Sequence, residues 1–575
     1  MGKGKVVILT ALISLSTFIM LCTDIKYDAA ALNRFKSYAE LKLFLQRSPY
    51  FNDKPPALFP ETQMPGFRAM FLSAARCPSY STTNIQVEGV DEADIVKTDG
   101  EHLYIISGQC VVIMKAYPPS EAAILSRITV NGTLKQLFIN GNRLVIFYQE
   151  GYWDNAKTFI QVYDVSQKES PMLRREVIVE GGYFNSRMIN NYAYVIIMRS
   201  ANIVNDEVRL PRICSEGRWK EIPATEIYYS EMPDYGYLFT TIVAIDVQND
   251  KREPAYKEIL LGAKTCMYVS LNNIYLAIRA YNKTYLYRIH IKEDEIICAA
   301  YGQVSGVVLN QFSMDEYNGH FRIATSYAGR NNLYVLNMDL EVVGSLEDIA
   351  LKEFIYSARF MGDICYLVTF KKVDPFFVID LTDPYKPRVL GELKISGYSS
   401  YLHPYGRNYV IGIGKETIPS DVGDFAWYQG VKISLFDVSN VYDPKEVSRY
   451  IIGDRGTDSP VLEDHKALLL DEEKGLLILP VLVAERPEDA PPNVHGKPVW
   501  QGVYVFTIST WPEGKITLKG TITHIENGNI TDRTHYIIRA VYIGDFLYTI
   551  SKEMVKINSL SDLSEIRKLD IKTEG

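Results

Sequence analysis

No C-x-x-C pair occurs among the seven cysteines, which argues against a zinc ribbon or a thioredoxin-type redox site. No G-x-S-x-G stretch is present, which disfavours a peptidase-type hydrolase domain. The phosphate-binding G-x-x-x-x-G-K-[ST] and the zinc-binding H-E-x-x-H are absent too. Basic residues form no stripe. They are interspersed with acidic ones to a net charge of −8, so nucleic acid is not an expected partner. There is no low-complexity tract, and 47% of the residues are apolar, the composition of an ordered chain.

What is present is a phrase that returns. An apolar run leads into a turn built on Gly, Asn or Asp, and a strand-like stretch with Tyr follows. Phe360-Met361-Gly362-Asp363-Ile364-Cys365-Tyr366-Leu367-Val368 matches Tyr542-Ile543-Gly544-Asp545-Phe546-Leu547-Tyr548-Thr549-Ile550 in this way. A second strand often ends in aliphatic-Asp-aliphatic, as in Val162–Val165, Ala244–Val247, Val378–Leu381 and Leu435–Val438. A strand-rich unit repeated every ~40–65 residues predicts an all-β fold, a single large β-propeller of four-stranded antiparallel blades. About nine units can be marked, with eight as the fallback, at roughly 90–130, 133–180, 183–262, 264–303, 305–349, 354–396, 398–453, 457–523 and 534–572. Closure is expected to bring the region near Val87 or Asp91 close to the last unit near Leu569. The 40 tyrosines outnumber the 23 phenylalanines, which suits strands with an apolar body and a wet rim. With only five Trp, a propeller that holds a quinone under repeated Trp motifs is not expected.

The chain divides into residues 1–23, 24–84 and 85–575. Lys3 and Lys5 precede an uncharged run from Val6 to Thr23, read as an export signal or a membrane anchor. A helix is expected over about 32–47, with Ser37-Tyr38-Ala39-Glu40 as a capping box. Six prolines between 49 and 79 read as a tether. Export makes disulfides among Cys77, Cys110, Cys214, Cys266 and Cys298 possible, with Cys365 read as a buried strand residue.

Residues 80–100, running Tyr80-Ser81-Thr82-Thr83-Asn84-Ile85-Gln86-Val87-Glu88-Gly89-Val90-Asp91-Glu92-Ala93-Asp94 and on to Gly100, resemble the signature of a family of secreted prokaryotic proteins. Tyr401-Leu402-His403-Pro404-Tyr405 and Asp464-His465-Lys466-Ala467 are similar to further stretches of it. The resemblance implies export and a C-terminal β-propeller distantly related to WD40 repeats. It transfers no catalytic residue.

Two places suggest themselves for function. Long insertions at about 148–157, 200–237, 415–430 and 485–501 fall between the second and third strands of their units and so on one face. Arg187, Arg359, Arg539, His403 and His465 fall in first strands, where they are candidates to ring the axial channel and hold an anionic group. Asp91, Glu92, Asp94 and Asp99 lack the spacing of a calcium loop and read as hydrogen-bonding groups between blades. No metal or other cofactor is expected. The favoured reading is a non-catalytic binding or scaffold module for protein or glycan, secreted or at the cell surface, touching membrane only through its N-terminal segment. The alternative is a carbohydrate-active lyase or hydrolase with its site in the channel.

Overall fold

The computed structural model describes residues 32–47, 79–231, 236–262, 265–370, 374–423, 425–526 and 528–572. The predicted signal or anchor over 1–23 and most of the tether lie outside them. No described helix is long and apolar enough to cross a membrane.

Nine sheets built on four antiparallel strands follow one another among the described residues, with residues 307–308 and 314–317 sharing the first-strand position of the fifth. They span 96–129, 133–180, 182–262, 265–305, 307–349, 354–395, 398–452, 469–522 and 539–570, and are called blades one to nine below. The recurring phrase explains their local form. Gly362 and Gly544 adopt positive φ, which lets the first two strands of blades six and nine turn back on each other tightly. At the end of each third strand in the aliphatic-Asp group, the Asp side chain accepts the backbone N–H two residues on. Asp164 takes that of Ser166, Asp246 that of Gln248, Asp380 that of Thr382 and Asp437 that of Ser439. The aliphatic residue after each Asp (Val165, Val247, Leu381, Val438) is buried. One residue pair thus ends the strand and anchors the turn.

An apolar cluster fills every seam between neighbouring blades, beginning with Tyr104 and Leu137 between blades one and two. The ninth seam joins Val96 and Leu103 of blade one to Ile543 and Tyr548 of blade nine. The Tyr548 hydroxyl donates to Ala116 O at 2.7 Å and the Ser107 hydroxyl to Lys552 O at 2.7 Å. The ring is therefore closed by packing and side-chain bonds between two complete blades. Val87 packs instead against the clusters of the third, fourth and fifth blades, away from Leu569.

The helix spans Tyr38–Gln46, shorter than expected, because Asn33–Arg34 pairs as a strand with Tyr228 and Tyr229. Ser37 Oγ accepts the Glu40 N–H at 3.2 Å, while Glu40 caps Lys36 N–H in return. The insertion of blade three supplies what the helix packs on. Arg212–Ser215 and Arg218–Glu221 extend the outer edge of blade two, and Ile227–Tyr229 lies parallel to the outer strand of blade three. Two sheet edges that would otherwise be bare are covered.

The disulfide expectation is corrected. Cys110, Cys214, Cys298 and Cys365 are thiols. Cys266 and Cys298 share a sheet but stand on its first and fourth strands. Three strand spacings put their Cα atoms ~14 Å apart, beyond the ~7 Å that a bridge spans. Cys77 lies outside the described residues.

Candidate functional site

The axis of the ring is occupied by the chain's own residues 79–95. Ser81 donates its backbone N–H to Tyr542 O at 3.0 Å, and Gly544 N–H bonds Ser79 O at 2.7 Å, on the inner strand of blade nine. Asn84 Nδ2 then donates to the Tyr401 hydroxyl at 3.3 Å and to His465 O at 3.2 Å. Gln86 Nε2 reaches Gln311 O at 3.0 Å and Met314 O at 3.2 Å across the ring. Val90–Glu92 pairs antiparallel with residues 187–189 of the inner strand of blade three. Asp94 and Leu137 exchange both backbone bonds on blade two. The stretch that carries the family resemblance is therefore an internal plug, and residues 79–84 belong to the ring body rather than to a tether.

All five predicted channel residues are buried at this axis. Arg187 sits 3.3 Å from Glu92, and both side chains are 5% exposed. It also donates to Asn185 Oδ1, Ser186 O and Gln311 Oε1. Burial raises the Glu92 pKa against the pull of Arg187 and Lys466. Arg539 donates from Nε and Nη2 to Asp94 at 2.9–3.2 Å and also bonds Asp464. Asp464 is held well below the usual carboxylate range, its burial outweighed by Arg539, Lys466 and His465. Conversely, these carboxylates hold Arg539 above its ordinary pKa despite burial.

Arg359 lies over the Phe312 ring at 5.1 Å, and burial lowers its pKa. His403 Nδ1 is 2.8 Å from the Tyr401 hydroxyl. His465 falls in a short turn, residues 465–467, just before the first strand of blade eight rather than within it. Packed against Phe312 and Tyr401, it is pushed well below its ordinary pKa, chiefly by burial. The anions that face Arg187 and Arg539 are thus Glu92 and Asp94 of the same chain. Asp91 pairs with Lys97 at 2.7 Å, and Asp99 caps a turn by accepting the N–H groups of Glu101 and His102. The roles of Asn84, Gln86, Gln311 and Asp464 were not read from sequence. The sequence signal for them is the acidic run at residues 91–94.

The insertions form a second feature. They lie between second and third strands at residues 151–156, 201–236, 420–425 and 486–496. Every blade runs its four strands in the same alternating order, so these loops leave one rim. Neighbours touch: Asn202 Nδ2 donates to Asp154 at 3.4 Å, and Gln429 Nε2 to Pro492 O at 3.1 Å. Over blades six to eight the rim is aromatic. Tyr356 and Tyr398 pack at 4.7 Å, Tyr398 and Tyr428 at 5.1 Å, and Phe425 and Trp427 at 4.9 Å. Arg455 lies over Trp427 at 5.2 Å and donates to Tyr428 O. Phe425, Tyr428 and Val422 are exposed.

Relatives share most of the chain. A protein of Archaeoglobus fulgidus is 28% identical over 85% of this chain and 84% of its own length. The Methanocaldococcus jannaschii protein MJ1554 is 29% identical over 85% of this chain and 83% of its own. Both are described as uncharacterized proteins. Among solved structures, Citrobacter koseri AztD is 10% identical, covers 84% of this chain and 95% of its own, and has a TM-score of 0.31. A prolyl endopeptidase reaches a TM-score of 0.35 at 12% identity, over 74% of this chain and 55% of its own. Likeness at that level carries no argument about ligands. A family model described as a beta propeller domain matches residues 80–563, from the plug residue that bridges Ile543 into blade nine itself. The chain belongs to that beta propeller domain family.

Proposed function

We propose that this protein is an exported, non-catalytic binding module that takes protein or glycan on its insertion rim. The observation that carries the reading is the aromatic surface of Tyr356, Tyr398, Phe425, Trp427 and Tyr428, beside exposed Val422 and the Arg455 guanidinium. Tyr and Trp supply large contact area at low conformational cost, and with Arg they dominate binding hot spots. The plug supports the same reading, since two of the channel arginines, Arg187 and Arg539, already meet the chain's own carboxylates. Export, a place at the cell surface and a distant WD40 relation rest on the N-terminal run and on the residues 80–100 resemblance. Glycan-array screening and pull-down from envelope extract, each with the parent and a Trp427→Ala/Tyr428→Ala variant, test the proposal. Retention that falls at least tenfold in the variant at unchanged melting temperature supports it. Equal retention by both proteins counts against the rim.

A further inference from the structure

A cavity of about 190 Å³ lies beside the plug, walled by residues 80–84, Asp91 and Asp94, by blade one at 96–98, and by blades two, eight and nine. It has room for several waters. One sugar ring fits such a space. Three cations line it, Lys97, Lys466 and Arg539. Three carboxylates answer them: Asp91 for Lys97, Asp94 for Arg539, and Asp464, which reaches both Arg539 and Lys466. Asp464 stands outside the lining, and with it counted the three cations are met by three carboxylates, which leaves little net charge to draw in an ion.

It nevertheless keeps unspent hydrogen-bonding capacity. Lys466 Nζ, on a side chain 7% exposed, donates to Ala93 O at 3.2 Å and stands 3.9 Å from Asp464, so part of its donor fork is open. Asp91 uses Oδ1 for Lys97 and leaves Oδ2 available. Among the described residues the Thr82 and Thr83 hydroxyls meet no protein group. Tyr80, Ile139, Leu469 and Val541 add apolar wall. Donors, acceptors and apolar surface in a neutral pocket match a molecule with several hydroxyls on a carbon ring.

We infer that this axial cavity binds a single neutral polyhydroxy compound of monosaccharide size, at a site separate from the aromatic rim. Saturation-transfer NMR on the full chain tests it, with glucose, galactose, mannose, N-acetylglucosamine, glycerol and myo-inositol as neutral probes and phosphate and glucuronate as anionic ones, followed by calorimetry. At least one neutral probe is expected to bind. Thr83→Val and Lys466→Met should each weaken it about tenfold, the loss of one to two hydrogen bonds. Thr83→Val conserves shape, so it reads binding even where Lys466→Met fails to fold. Binding of that probe should be unchanged in Trp427→Ala/Tyr428→Ala. Four results overturn the inference: no transfer from any neutral probe, tighter binding of the anions, full affinity in Thr83→Val, or loss of the probe in the rim variant. The last would place the sugar on the rim and leave the cavity to water.

Discussion

Arg539 is the strongest single link between the plug and the ring, and its removal has a calculable cost. Its guanidinium joins Asp94 of the plug to Asp464 ahead of blade eight, and the Arg539 and Asp94 side chains are 7% and 5% exposed. Breaking a buried pair from one side leaves an uncompensated charge, which costs about 3–5 kcal/mol. Arg539→Ala strands two carboxylates, so the upper part of that range applies. Unfolding entropy near 2.1 cal/mol/K per residue over a ring of about 490 residues converts 4–5 kcal/mol into a melting shift of roughly 4–5 °C. The assay is scanning calorimetry on a double-mutant cycle of Arg539→Ala, Asp94→Ala and the pair. The two single losses should fall well short of adding, with a coupling of about 2–3 kcal/mol. Strictly additive losses, or a melt like the parent in Arg539→Ala, would refute the latch.

Three further outcomes follow from other buried groups. Glu258 is 1% exposed, accepts the Thr241 hydroxyl at 2.7 Å, and burial raises its pKa to about 8. The folded state then holds a proton that the unfolded chain releases above about 4.5. Stability falls as pH rises between those values, and Glu258→Gln should gain about 3 kcal/mol at pH 7 and little at pH 4.5; destabilisation at pH 7 would mean the carboxylate is ionised and useful. His524 is held neutral, its pKa lowered to about 3 by burial, with Nε2 at 2.9 Å from Thr549 Oγ1. The unfolded chain binds that proton below about 6.5, so this group costs about 2 kcal/mol by pH 5, and a denaturant titration of His524→Gln should show a shallower acid limb. Cys110, Cys214, Cys298 and Cys365 should all titrate as thiols in denaturant before any reductant is added, and fewer than four would contradict the structure.

The blades were legible because their signals are local. Gly362 turns and the Asp380 cap act within a few residues, and alternating apolar positions point into the seams wherever the next unit stands. The insertion rim was legible for the same reason, since loop position within a blade decides the face. The axis was not. Arg187, Arg359, Arg539, His403 and His465 all lie buried near it, and for Arg539 and His465 the plug residues they meet stand hundreds of positions away. Asp94 and Arg539 are 445 residues apart in sequence and Asn84 and His465 are 381 apart. No periodicity reports such a pairing. The spacing of the acidic run at 91–94 predicts hydrogen bonds between blades, whereas the run lies in the plug and bonds that segment to blades. The N-terminal helix is shorter than its sequence pattern predicts for a related reason: Asn33–Arg34 finds a strand partner in an insertion almost two hundred residues on.

The central claim is that residues 79–95 fill the axis of the ring. Hydrogen exchange of peptides covering 82–95, read by mass spectrometry beside those of the inner strand at 133–140, tests it most directly. The Asp94 amide bonded to Leu137 O, the Val90 amide bonded to Val87 O and the paired Val90–Glu92 strand should exchange as slowly as Leu137 itself. Complete exchange of 82–95 within seconds, while 133–140 stays protected, would show the plug to be an exposed tether and return the channel to solvent.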